Sequence, residues 1–542
     1  MKPLGWRRVS LLSTSIVLLL VLSLVRITHG MDQVRQETLA DSAIAKYAVT
    51  GRGVTVAILD RGIEWANPDF INPDGTTRIK WMLDMTGQNG CDAANPPPVE
   101  YTEAQVNAAL LGGPTIPERD AVGHGTATAG VAAGNGRAFG GGNFRGIAPE
   151  ADLVIVKMTS EGAPAHDDQL AEAPFQACIE QALDWLNVKV TQLAQPVVGL
   201  INSGSQWGPI DRTSAVSRKI DQIFGADTPG RVYVAPSGDE GGLDNHAGGN
   251  YDATGDTLVR IMKAGTATSY MQLWYTGAAP ADITVTFDDG TVVGPVGPGQ
   301  FLDQNGVFII QYGPGQEFYP WTSTSGDRAV WIRVTGHSGG GSIRISAVAG
   351  SGKFDFYGDL LGPNLTSIIS FADHVVPERL TDFAATSSAI VVADHVVRTT
   401  WVDIDGIVRD LSSEGAVGDL WYRSSGGPTR DGRAQQVDLS APGQNLFTSS
   451  AQNSYWHSLR FNSNQQGGGW YTRFGGTSGS APIVVGAIAL MLQRQPALTA
   501  NQVRSILQTT AVSDAFTGIT PNANWGYGKL NILAALDAII PR

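Results

Sequence analysis

The sequence predicts an α/β protein in which a mostly parallel sheet, covered by helices, is interrupted by an antiparallel β-sandwich. Three observations predict it. From residue 53 onward, short apolar runs bounded by glycine alternate with stretches of helical period, as in strands joined by crossover helices. Near residue 251 the helical period stops, and two-residue alternation between Gly, Pro and Ser takes over until about residue 375, as in antiparallel sandwiches. After residue 387 the buried-strand style resumes. With 542 residues, 42% of them hydrophobic and 16% charged, the chain can build two or three ordered domains around a large core.

Taken in order, the N-terminus places Lys2, Arg7 and Arg8 before an apolar run at 11–25, with small residues Thr28 and Gly30 after it. It reads as a signal peptide, or as an uncleaved anchor with its basic end inside the cell. Either reading exports the rest of the chain. GVTVAILD (53–60) is a buried strand ending in Asp60, and HGTATAGVAAG (124–134) a tightly packed helix of small residues. ADLVIVKM (151–158) is a strand, FQACIEQALDWLNV (175–188) a helix, and QPVVGLINSGS (195–205) a strand again. RVYVAPSGDEGG (231–242) runs a strand into a glycine-rich turn that carries Asp239 and Glu240. DITVTF (282–287), AVWIRV (329–334) and GSIRISAV (341–348) belong to the sandwich. SSAIVVAD (387–394) returns to the parallel sheet, and a long helix begins near Ala481. The expected division is a leader or anchor at 1–30, an α/β domain in two parts at 31–250 and 377–542, and an inserted β-sandwich at 251–376.

The net charge is −13, and loss of the four basic residues in the first thirty positions takes the remainder to −17. Such an acidic surface argues against a nucleic-acid partner and favours solubility. Two cysteines, Cys91 and Cys178, allow one bridge or two free thiols but no disulfide framework.

Three residues stand in settings that suit nucleophilic catalysis. Asp60 ends a buried strand, His124 opens a helix between Gly123 and Gly125, and Ser478 lies where GGTSGS runs into an apolar helix. Backbone N–H groups and the helix dipole converge on a serine so placed. A histidine can take its proton and a buried carboxylate can orient the ring. Singly, each residue has a plainer reading as a cap or turn former, but the chain order Asp, His, Ser is that of subtilisin.

The chain resembles the subtilisin-like serine proteases, the subtilases of peptidase family S8. VAILDRGIEWANPDF, GHGTATAGVAAG, FRGIAPEADLVIVKM, GLINSGSQWGP, SSGGPTRDGRAQQVDLSAPG, GGTSGSAPIVVGAIALMLQRQP and NWGYGKLNILAAL carry the resemblance in family order over residues 53–535. It implies a three-layer subtilisin-like fold and an exported endopeptidase, a monomer acting on protein or peptide substrates. Asp60, His124 and Ser478 are implied as orienting acid, general base and nucleophile. The resemblance puts Asp239 where the family has an oxyanion-binding asparagine, sharing that role with the Ser478 N–H, and leaves Glu240 as a solvated turn residue. An ionised carboxylate cannot donate a hydrogen bond, so Asp239 serves only when protonated. Ser205, Gln206, Trp207 and Gly208 are implied as the substrate-binding edge, with Pro236, Ser237 and Gly238 as pocket wall. No cofactor is required for the chemistry, while Asp69 in NPDF matches a family calcium-ligand position and Asn135 lies in a loop that offers further oxygens.

The sequence departs from the family pattern at several points. Arg61 follows Asp60 where a small Ser or Thr is usual, and only about twenty residues stand between Gly30 and the first strand where secreted members carry a prosegment. Sedolisins, acid-active relatives with S-G-D turns, use a glutamate base in an E-x-x-L-D helix. EQALD (180–184) matches that motif but follows GIAPEADL rather than preceding it, and Glu180 with Asp184 suits a solvated helix face. His337 and Trp331 in the insert read as turn and core residues, and Asn364 in NLT fits a glycosylation acceptor. The rival to the enzyme is a subtilase fold that only binds or scaffolds.

Overall fold

The computed structural model describes residues 30–86, 98–139, 142–158, 176–204, 206–312, 323–358, 368–432 and 437–540. The predicted export segment, Cys91, the Cys178 side chain and Asn364 lie outside the described residues. Among the described residues, no helix is long and apolar enough to cross a membrane.

Eight strands form the main sheet, in the order Leu439–Gln444, Ile390–Val396, Arg231–Pro236, Val197–Ile201, Thr55–Asp60, Asp152–Lys157, Ile79–Asp84 and Val99–Thr102. Every pairing is parallel except the last, where Val99–Thr102 runs against Ile79–Asp84. The central strand Thr55–Asp60 is buried along its whole length, as a strand covered on both faces must be. Its alternate residues divide between two cores. Val56 and Ile58 pack with the helices His124–Ala133 and Thr477–Arg494, while Ala57 and Leu59 pack with Gln176–Leu193 and Ala215–Ile223. The result is a three-layer α/β fold, as the alternation of strands and helices predicts.

The long helix starts at Thr477 rather than near Ala481. Gly476, at φ +71°, turns the chain into it, so Ser478 lies in the first helical turn, where backbone N–H groups lack partners within the helix. The helix is buried almost all round, which explains why IVVGAIALML shows no polar face.

Two antiparallel sheets follow the strand Arg231–Pro236. Five strands are ordered Val292–Val296, Ala281–Phe287, Gly339–Ala347, Thr257–Lys263 and Ile369–Phe371. Six are ordered Phe301–Gln304, Val307–Gln311, Arg328–Val334, Ser269–Tyr275, Ser351–Gly358 and His246–Asp252. They enclose a core of their own, built from inward residues such as Ile283, Val285, Leu273 and Phe356. Buried polar and aromatic contacts attach them to the α/β body. Arg430 bonds Asp211 at 2.5 Å and, from the second sheet's side, Asp327 at 2.6 Å. Trp331 lies against Trp207 with ring centroids 4.7 Å apart.

Candidate active site

Asp60, His124, Asp239 and Ser478 meet at the carboxyl ends of the parallel strands, where ligands of open α/β sheets bind. His124, Asp239 and Ser478 line one cavity of about 750 Å³, and Asp60 lies buried behind His124. Nδ1 of His124 stands 2.8 and 2.9 Å from the two Asp60 carboxylate oxygens, so the acid holds the ring at the nitrogen away from a nucleophile. The Arg61 N–H donates to Asp60 Oδ1 at 2.7 Å and the Thr128 hydroxyl to Oδ2 at 2.9 Å. Trp456 and Phe474 flank the imidazole, with ring centroids at 5.6 and 5.2 Å.

The histidine helix is set by its neighbours. The Asp120 carboxylate accepts from the Gly123 N–H at 2.7 Å and the Thr126 N–H at 2.8 Å, capping the first turn in the way an acidic residue suits. Gly125 is required by close approach, since a Cβ there would lie 2.0 Å from the Gly62 carbonyl oxygen. Arg61 lines the cavity beside His124. Burial lowers its pKa, against the charges of Asp60 and Asp120.

Asp239 is fixed by the turn before Ser478. Its Oδ1 accepts from the Thr477 N–H at 2.9 Å and the Thr477 hydroxyl at 2.7 Å, which leaves Oδ2 as the atom to carry a proton. A Cβ on Gly476 would lie 2.6 Å from that oxygen. Burial raises the Asp239 pKa, outweighing the Thr477 bonds and the charges of Arg423 and His124. A buried carboxyl that retains its proton can donate a hydrogen bond to a developing oxyanion.

Several expectations need correction. Glu240 is not a solvated turn residue. It is partly buried, lines the cavity, and has a pKa pushed up to about 7 by burial and by the Asp239 charge. Gln206, Trp207 and Gly208 do not form the edge of the cavity. Gln206 and Trp207 are buried, and the backbone of Gln206 and Gly208 is taken up by Gln272 of the strand Ser269–Tyr275. Asn202, Ser203 and Gly204, a few residues earlier, line the cavity instead. Ser205 lies outside the described residues. Of the expected wall, Pro236 and Gly238 line the cavity, while Ser237 is buried.

Asp69 does not fit a calcium ligand. Its side chain accepts from the Ala138 N–H at 2.8 Å, the Ser449 hydroxyl at 2.7 Å and the Tyr471 hydroxyl at 3.2 Å, so protein donors occupy most of its acceptor sites. Among the described residues, no group of three or more His, Cys, Asp and Glu could hold a metal. Asp184 pairs at 2.8 Å with Lys219 on the helix surface, consistent with a structural role for EQALD. His337 stacks on Phe287 and bonds Asp289 at 2.9 Å.

Sequence reasoning missed Thr128, Asn202 and Thr477. All three lie inside the quoted blocks, but hydroxyl and amide side chains buried in a strand end or a helix give no periodic signal.

Burial also makes stability depend on pH. Glu118 is pushed up to about 8, and Glu240 and Asp382 to about 7, in each case chiefly by burial. An acid whose folded pKa exceeds its unfolded value stabilises the fold fully below the unfolded pKa and loses that contribution as pH rises through the folded one. His395 and His457, whose pKa values burial lowers, act in the opposite sense only below their ordinary range near 6.5. The melting temperature is therefore expected to fall as pH rises from about 6.5 to about 8.5, and Glu118→Gln to flatten that slope. Scanning calorimetry across this range checks both.

The sequence model described as the Subtilase family matches residues 51–528. The Minor extracellular protease Vpr of Bacillus subtilis is 23% identical over 508 residues, covering 90% of this chain and 52% of that protein. The chain thus spans about half the length of Vpr. A Calcium-dependent protease of Trichormus variabilis is 33% identical over 91 residues, 16% of this chain and 14% of its own. The solved structure of the Clostridium perfringens CspB protease shares the fold with a TM-score of 0.71 at 22% identity, covering 93% of this chain and 97% of its own.

Proposed function

The chain belongs to the subtilase family, and on that premise we propose that it is an exported serine endopeptidase working through Asp60, His124 and Ser478. The observation that carries the reading is the Asp60–His124 contact at 2.8 Å in a cavity that Ser478 also lines. Ser478 attacks the scissile carbonyl to form an acyl-enzyme, with His124 taking its proton and returning it to the leaving amine, and a water deprotonated by His124 then cleaves the ester and frees Ser478. Asp60 holds the ring and stabilises the imidazolium. The Ser478 N–H and protonated Asp239 hold the oxyanion. Substrates are proteins or peptides lying along Ser203 and Gly204. The acidic net charge of −13 counts against nucleic acid as a partner. The predicted leader and the word extracellular in the name of Vpr support export.

The division at 251–376 is proposed as that of an inserted domain that stiffens the peptidase. Gln272 supports this, since its amide brackets Gly208 with bonds of 3.1 and 2.9 Å. Calcium, expected from Asp69 and the loop with Asn135, is supported by the names of two relatives and not by the bonding of the Asp69 carboxyl.

A fluorophosphonate probe separates the enzyme from a scaffold that keeps only the fold, because only an activated serine reacts. The expected result is stoichiometric labelling at Ser478, located by peptide mass spectrometry. An unlabelled, folded protein would leave the scaffold as the better reading.

A further inference from the structure

We propose that Thr128 and Asn202 form a buried hydrogen-bond bridge that holds the Asp60 carboxylate and the Ser478 turn in register, making both positioning residues for the hydrolysis. This rests on the peptidase reading above. Asn202 follows the strand Val197–Ile201, and its N–H donates to the Leu59 carbonyl at 3.1 Å, one residue before Asp60. Its Nδ2 carries two hydrogens and has two acceptors, Thr128 Oγ1 at 2.7 Å and the Ser478 carbonyl at 3.0 Å. Because Thr128 Oγ1 accepts from Asn202, its single proton is left to point onward. Asp60 Oδ2 stands at 2.9 Å and the His124 carbonyl at 3.0 Å, and a charged acceptor is the stronger of the two.

The bridge joins three elements that approach from different parts of the chain: the strand end with Asp60, the helix with His124 and Thr128, and the helix with Ser478. Asp60, Thr128 and Asn202 are each no more than 1% exposed, so water does not compete for these bonds and each polarises the next. Thr128 sits four residues after His124, on the same side of its helix. The hydroxyl on Oδ2 and the Arg61 N–H on Oδ1 together fix the plane of the carboxylate that the imidazole meets. Asp239 faces His124 across the cavity, and Arg61 and Asp120 flank Asp60.

The test compares Thr128→Val, Thr128→Ser and Asn202→Ala in the full chain, with Asp239, Arg61 and Asp120 unchanged. Thr128→Val keeps the shape and removes the donor. Its kcat is expected to fall on the order of 10- to 100-fold with KM unchanged, the loss that a misplaced group brings. With one donor fewer, the carboxylate holds the imidazolium more tightly, so the acid limb of the kcat profile moves to higher pH. Thr128→Ser should restore both the rate and the profile, and Asn202→Ala should lower kcat without Thr128 being touched. A Thr128→Val enzyme with the wild-type rate and profile, or a Thr128→Ser enzyme no better than it, would overturn the bridge. Should Thr128→Val not fold, a wild-type kcat in Asn202→Ala would do the same. If the wild type neither cleaves peptides nor labels with fluorophosphonate, the peptidase reading fails and the bridge with it.

Discussion

Ser478→Ala is expected to lower peptide hydrolysis by about a million-fold in kcat, with KM little changed. The serine lies in the first turn of a helix that is buried almost all round, so loss of one hydroxyl leaves the scaffold intact. Binding and the oxyanion donors remain, and a residual rate of about 1000-fold over water is expected to survive. His124→Ala should fall to nearly the same level, and the double variant should be no worse than either alone. That non-additivity is the mark of residues acting as one unit. Hydrolysis of a casein-like substrate, with calorimetry to confirm folding, measures it. Equal activity in wild type and Ser478→Ala would end the serine mechanism.

Asp239→Asn is expected to raise kcat by about 100-fold at pH values above the Asp239 pKa, and to change little below it. The reason lies in which form can donate. Burial raises the Asp239 pKa, so the carboxyl keeps its proton and its donor function further up the pH scale than an exposed acid would. As pH climbs through that pKa the donor is lost and a negative charge faces the oxyanion. Losing one such donor costs about 100- to 1000-fold. Asparagine donates at every pH, so the variant should lose the alkaline limb that Asp239 sets. The acid limb, which Asp239 does not set, should remain. A profile of kcat against pH decides the matter. If the two profiles coincide, Asp239 does not face the oxyanion.

Much of this was legible from the sequence, for a definable reason. Asp60 ends a buried strand, Asp239 follows one, and His124 and Ser478 open helices, so each residue sits at an element boundary that local pattern and glycine placement reveal. Glu240 was misjudged because adjacent acids in a glycine-rich turn look solvated. Its neighbours Ser425, whose hydroxyl accepts from the Glu240 N–H at 3.1 Å, and Arg423 lie nearly two hundred residues away. The substrate edge was displaced for a similar reason. Gln272, in another sheet, takes the Gly208 backbone that would otherwise be free.

The sequence by itself determined the α/β class, the place of the β-sandwich between its two halves, and the Asp–His–Ser order. All of these follow from hydrophobic period, strand ends and glycine at tight approaches, which are local properties. Only the tertiary structure decided which polar side chains surround the catalytic candidates and which way burial moves the pKa values of Asp239 and Glu240. The Thr128–Asn202 bridge, the Thr477 donors on Asp239 and the raised pKa of Glu240 depend on segments far apart in the chain. Burial and hydrogen-bond partners are set by such meetings, and no local pattern encodes them.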